Sequence, residues 1–147
     1  MKTFNMIVLA VVASSGSLLL SQKVQLKDVP TPVQRSIAEE TKGSQLKSIT
    51  KETEKGKTVY EVESMVNGRT RDLIIDSSGS VVTVEAEVAL DSLPAAAKSA
   101  IERLAAGGKI TKVESVTMGQ TIMYEAAIVK GKKTSEVSVT PDGKPAK

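Results

Sequence analysis

Apolar residues recur along this chain in two rhythms, and the rhythms come in a fixed order. Val29, Val33 and Ile37 stand four apart, a spacing that gathers them on one side of a helix and leaves Gln34, Arg35, Glu39 and Glu40 on the other. Pro30 suits the opening of that helix, because its missing N–H would have no partner there. Gly43 suits its end. Gln22 to Lys27 before it is a polar lead-in. After Gly43 the rhythm shortens. Gln45–Glu54 reads as a polar strand whose apolar residues, Leu46 and Ile49, stand three apart, which a strand accommodates only with a bulge or a strong twist. Thr58–Val66 alternates, with Tyr60 and Val62 on one face and Val59, Glu61, Glu63 and Met65 on the other. Asn67-Gly68 is a hairpin signal, since both residues accept the positive φ of a type I′ turn. Arg69–Asp76 runs back with Leu73 and Ile75 on one side. Asp76-Ser77-Ser78-Gly79 turns again, and Ser80–Val88 places Val82, Val84, Ala86 and Val88 in alternation.

The order then repeats. Asp91-Ser92-Leu93-Pro94 opens a helix predicted to bury Leu93, Ala97, Ile101 and Leu104, and its alanines favour that conformation. Lys109–Met118 is again a polar strand with apolar residues three apart, Ile110, Val113 and Val116. Thr121–Lys130 alternates and Lys133–Thr140 returns with Val137 and Val139. Pro141-Asp142-Gly143 turns, leaving Lys144–Lys147, so a fourth strand is absent or vestigial. The dipeptide Tyr60-Glu61 returns as Tyr124-Glu125, and the same shift aligns Pro30 with Pro94, Ile37 with Ile101, Gly43 with Gly107, Thr70 with Thr134 and Gly79 with Gly143 without a gap. An internal repeat in one register is the mark of duplication. The expected fold class is α+β: two tandem helix-plus-antiparallel-sheet units, residues 22–88 and 89–147, forming one pseudo-twofold body. Units this small bury too little surface to stand alone, so the two halves are expected to support each other.

Residues 1–21 read as an export signal: Lys2, then the apolar run Met6 to Val12, then the small residues Ala13 to Ser17. The expected location is therefore periplasmic or extracellular, with no integral membrane span after cleavage. The 147-residue chain has no cysteine and no histidine. This excludes disulfides, thiolate chemistry and the commonest general base and nitrogen ligand. No spacing singles out a lysine base for a serine nucleophile, so no catalytic residues and no enzyme activity are expected. Neither a cofactor nor a metal site is expected; Asp76 to Ser80 reads as a plain turn rather than a calcium loop. A net charge of +3 without a long basic run gives no reason to invoke nucleic acid. Lys130, Lys132 and Lys133, the densest basic group, read as the exposed end of a hairpin.

What remains is a surface. The face of the sheet opposite the helices should carry Glu61, Glu63, Met65, Arg71, Met123, Glu125 and Val129, with Arg71 across the hairpin from Glu61 or Glu63. One reading is a solvated sheet face. The other is a partner-binding face, because exposed methionine and valine beside charge suit protein contact. Tyr60 and Tyr124 point the other way, into the core. Three function classes stand: a protein-binding module that inhibits or regulates an exported peptidase or hydrolase, a structural or self-associating envelope protein with an unpaired strand edge, and a small-ligand-binding domain.

The residues Val29-Pro30, Ile37, Gly43, Tyr60-Glu61 and Asp76 with Gly79, repeated as Leu93-Pro94, Ile101, Gly107-Gly108-Lys109-Ile110, Tyr124-Glu125 and Asp142-Gly143, resemble the PepSY-like family. The resemblance implies small exported domains with a helix on a sheet, some found in protease propeptides. A tandem pair is similar to the layout of β-lactamase-inhibitor-like proteins, which present a sheet to an enzyme. This chain lacks the cysteines of the β-lactamase inhibitory protein itself and the aromatic anchors that make such an interface tight.

Overall fold

In the computed structural model, which describes residues 21–146, a short strand β1 (Gln22–Val24) and a 3-10 turn (Leu26–Asp28) precede helix α1 (Thr31–Glu40). Four strands follow: β2 (Gln45–Glu54), β3 (Lys57–Val66), β4 (Arg69–Asp76) and β5 (Val81–Glu87). A second 3-10 turn (Leu90–Ser92) leads into α2 (Ala95–Ala105), then β6 (Lys109–Met118), β7 (Thr121–Lys130) and β8 (Lys133–Val139). All eight strands form one antiparallel sheet in chain order. The expected export signal lies outside the described residues, apart from Ser21. The lead-in is more structured than its polarity suggests, since Gln22–Val24 pairs with β2 as an edge strand.

Register shows that both helices lie on the same face. Directly paired residues of an antiparallel sheet share a face, and the row Arg71, Ala86, Ser115, Tyr124, Val139 crosses from β4 to β8 unbroken. On this face Val33 and Ile37 of α1 pack with Ile49, Tyr60, Val62, Leu73 and Ile75. Ala97 and Ile101 of α2 pack with Val113, Ala126 and Val139. The result is a two-layer α+β structure whose two apolar clusters carry most of the core.

The odd apolar spacing in the polar strands is explained by bulges. The β2–β3 register shifts between Leu46 and Ser48, and the β6–β7 register shifts between Ile110 and Lys112. Each bulge takes up one residue, Lys47 and Thr111, and these occupy equivalent places in the repeated pattern. A third bulge lies between β4 and β5, where Ile74 pairs with Thr83 but Ile75 pairs with Val81. It corrects the expected alternation of β5. Val82 is the extra residue and is 39% exposed, while Val81 packs against the first cluster in its place.

Strand β5 does double duty. Its pairing with β4 closes the first set of strands, and its last residues pair with β6, Glu87 opposite Glu114, followed by Val88 N–H donating to the Val113 carbonyl. The positions that the sequence repeat aligns with these are filled by β1, where Lys23 pairs with Thr50 and Val24 with Ile49. After β8 the sheet continues, among the described residues, as the bridge Val139 to Pro145 and the Ala146 N–H donating to the Ser138 carbonyl.

One core expectation needs correction. Leu104 is 45% exposed, and Ala100 and Ala105 are buried instead. The buried stripe of α2 is mostly alanine, so the helix lies close on the sheet and the larger leucine stays outside the seam.

The turns after β4 and β8 brace the helices. A Cβ on Gly79 would lie 2.7 Å from the Pro32 carbonyl oxygen, and one on Gly143 would lie 2.5 Å from that of Ala96. Both glycines have positive φ, 89° and 77°. In the first turn Ser36 Oγ also donates to the Gly79 carbonyl oxygen at 2.5 Å. Gly143→Ala is therefore expected to cost about 2 kcal/mol, the strain of positive φ plus a backbone clash. Gly56→Ala, with positive φ but open space around it, should cost about half as much. Urea denaturation of the two variants checks the difference.

Candidate functional site

The face of the sheet away from the helices is the candidate site. Alternation along β3 to β8 sends Glu61, Glu63, Asp72, Glu85, Glu114 and Glu125 to that face. Two rows hold most of them. Glu63, Asp72 and Glu85 lie side by side on β3, β4 and β5. Glu87, Glu114 and Glu125 do the same on β5, β6 and β7, with Ser138 beyond.

Side chains on neighbouring strands stand close enough to wall one another in. Glu85 is 5% exposed and Glu114 3%, and Glu125 is also buried, although both helices lie on the other face. Some of these carboxylates are well served. Ser48 Oγ donates to Glu63 Oε2. Ser138 Oγ donates to Glu125 Oε1 at 3.0 Å. The Thr70 N–H donates to Glu87 Oε2 at 3.2 Å. Lys112 Nζ lies 2.6 Å from Glu114 Oε1. Among the described residues, Glu85 Oε1 and Glu125 Oε2 are buried without a hydrogen-bond partner.

Crowding and burial change the acidity of this face. Burial, reinforced by Glu114, Glu125, Asp72 and Glu61, pushes the Glu85 carboxyl up to about 8. Burial and the neighbouring Glu52 and Glu63 bring Glu61 to about 7. Burial raises Asp72 to about 6, with Lys112 pulling the other way. Away from the face, Asp76 is held below the usual carboxylate range by hydrogen bonds from Ser78 and Ser80 in its turn.

Of the residues predicted for a partner-binding face, Glu61, Glu63, Met65, Met123, Glu125 and Val129 do share the open face. Glu125 is more deeply buried than that role requires. Arg71 is a correction. It pairs with Ser64 in the row that faces the helices, and its guanidinium donates to the Glu40 carbonyl oxygen at 3.1 Å and to Glu40 Oε2 at 3.0 Å. It thus closes the C-terminal end of α1. Leu73 and Ile75 share its parity, so alternation was the signal that should have placed it there. Asp72, Glu85 and Glu114 did not emerge from the sequence as a group. They sit on three strands, and only the pairing register brings them together.

The two described surface depressions, about 490 and 360 Å³, lie at strand ends and turns, the first against Asn67 and Arg69 and the second against Asp76 and Ser77. No described helix is long and apolar enough to cross a membrane.

Residues 34–84 match the PepSY family, described as the peptidase propeptide and YPEB domain. The match begins inside α1 and ends inside β5, so the resemblance carried by Tyr60-Glu61 and its neighbours holds for that stretch. Among solved structures, the fold is similar to a protein of Bacteroides eggerthii described as periplasmic, with 18% identity and a TM-score of 0.67 over 81% of this chain and 86% of that one. A DUF2874 family protein of Bacteroides ovatus matches with 18% identity and a TM-score of 0.63 over 81% and 85%. A BLIP-like protein of Bacteroides fragilis matches with 15% identity and a TM-score of 0.60 over 81% and 84%. At these identities the likeness is one of fold. No curated protein matches the chain.

Proposed function

From a chain whose residues 34–84 match the PepSY family and whose fold has a BLIP-like neighbour, we propose that the protein is an exported, non-enzymatic binding module. It works in the periplasm or outside the cell and docks another protein on its open sheet face. The body consists of two tandem units, residues 22–88 and 89–147; in place of the expected pseudo-twofold, the second repeats the first four strands farther along the sheet, in the same direction and on the same face. The equivalent bulges at Lys47 and Thr111, the equivalent brace glycines and the double use of β5 support that organisation.

The observation that carries the docking reading is the placement of charge. Both helices cover one face, and the other presents Glu61, Glu63, Asp72 and Glu87 beside Met65 and Met123. Such a surface complements a basic, partly apolar strip on a partner, and it steers that partner in from a distance. The class of partner is an exported peptidase or hydrolase with a basic rim.

Affinity capture from envelope and culture-medium fractions tests this reading. Wild-type protein is expected to retain a peptidase or hydrolase in a salt-sensitive manner and to lower its activity. The Glu61→Lys/Glu63→Lys variant should lose it, and Glu39→Lys, on the solvent side of α1, should keep it. Capture of the same proteins by wild type and the face variant overturns the reading.

A further inference from the structure

We propose that Asp72, Glu85 and Glu114 form a binding site for a divalent, oxygen-seeking cation, calcium by preference, on the open face of the sheet. Each residue offers a carboxylate oxygen, and the three oxygens lie within 4.8 Å of one another. Glu85 is 5% exposed, and its Oε1 has no hydrogen-bond partner among the described residues. A buried carboxylate oxygen left unpaired is costly. Here it belongs to a cluster with two more carboxylates; Glu114 has Lys112 Nζ as its partner, and among the described residues Asp72 and Glu85 form no ion pair. A cation supplies what the cluster lacks.

The backbone holds the three ligands in place. Asp72 and Glu85 are direct cross-strand partners on β4 and β5. Glu114 on β6 pairs with Glu87, two residues along from Glu85 on the same face. All three strands are interior to the sheet, so the cluster rests on ladder hydrogen bonds rather than on a loop. Cation binding ionises all three carboxyls, with release of protons, and Lys112 Nζ, 2.6 Å from Glu114 Oε1, offsets one of the three charges. The charge of about −2 then left is what one divalent ion neutralises.

The donors decide the class of ion. Carboxylate oxygens with neither nitrogen nor sulfur select hard cations. Calcium binds oxygen at about 2.3–2.6 Å, so ligands on opposite sides of it stand up to about 5 Å apart; magnesium, at about 2.0–2.1 Å, draws them to about 4 Å and keeps most of its water. Oxygens no more than 4.8 Å apart fit around one calcium ion, whose variable geometry suits ligands fixed on three strands better than the strict octahedron of magnesium does. Water from the open side completes the shell.

This inference is independent of the docking reading, because its test uses the purified protein alone. Chelator-treated protein at about neutral pH is titrated with CaCl2 in a calorimeter and melted with and without the salt, against NaCl of equal ionic strength. The expected result is a saturable single-site heat and a rise in Tm of about 5 °C. Glu85→Gln and Asp72→Asn, each folded by circular dichroism, should weaken binding at least tenfold and lose the rise, whereas Glu39→Gln keeps both. Saturable binding of MgCl2 or MnCl2 but not CaCl2 overturns the choice of calcium. Absence of saturable heat with all three salts overturns the site, as does a Tm rise that NaCl reproduces or that both cluster variants retain.

Discussion

Chelator-treated protein loses stability as the pH rises from about 5 to about 8, and Glu85→Gln removes the largest single share of that loss. The Glu85 carboxyl titrates near 8 in the folded protein against 4.5 as its ordinary value, and Glu61 near 7. Below about 4.5 both the folded and the unfolded chain hold these protons, and the stability they confer is fully present. Between the two values the unfolded chain releases protons that the folded chain keeps. The folded state then binds more protons, so stability falls with rising pH until the folded groups ionise against one another. At about 1.4 kcal/mol per unit of pKa difference, and allowing for relaxation around a titrating buried group, Glu85 alone accounts for on the order of 3 kcal/mol. Glu61 and Asp72, less buried and better screened, add less. Asp76 works in the opposite direction, because its lowered pKa favours the folded state above the usual carboxylate range and the benefit fades in acid. Stability should therefore peak near pH 5. Urea denaturation across this range checks both limbs. A profile that is flat or rising from pH 5 to 8 in the wild-type protein would contradict the burial of these carboxylates.

Tyr60→Ala is expected to cost about 4 kcal/mol, and Tyr124→Ala about half of that. By sequence the two tyrosines are equivalent. By burial they are not. Tyr60 is 5% exposed and sits within the first apolar cluster among Ile49, Val62 and Ile75. Tyr124 is partly buried and packs against the rim of the second cluster. Truncating the first leaves a cavity under α1, while the second site lets water in and loses mainly contact area. Chemical denaturation of the two variants distinguishes the accounts. Equal losses would mean that place in the repeat, and not burial, sets the cost.

Much of this architecture was legible because alternation and helical spacing are local. Val33 and Ile37 marked a buried helix stripe, Asn67-Gly68 marked a hairpin, and the three-residue spacing of Leu46 and Ile49 announced a bulge that is there. Parity along β3 and β7 put Glu61, Glu63, Met123 and Glu125 on the correct face. The failures had different causes. Arg71 and Val82 went wrong over single residues: a long side chain was assigned by hairpin proximity against its own parity, and a bulge went unmarked in an apolar run. The clustering of Asp72, Glu85 and Glu114 was illegible for a different reason. It depends on which residue of β4 stands beside which of β5, and on β5 lying next to β6. No local rule fixes either. Strand β1 escaped notice because three polar-flanked residues at a sheet edge carry no pattern of their own.

Because β5 pairs with β4 on one side and with β6 on the other, the two proposed halves meet along a strand ladder and not across a linker. In beads-on-a-string proteins a linker isolates damage, and one module can melt while its neighbour carries on. Here a fault in either half strips a neighbour from the strand on which the other half is built. On the proposed two-unit reading the arrangement trades autonomy for mutual insurance: halves too small to persist alone are expected to unfold together.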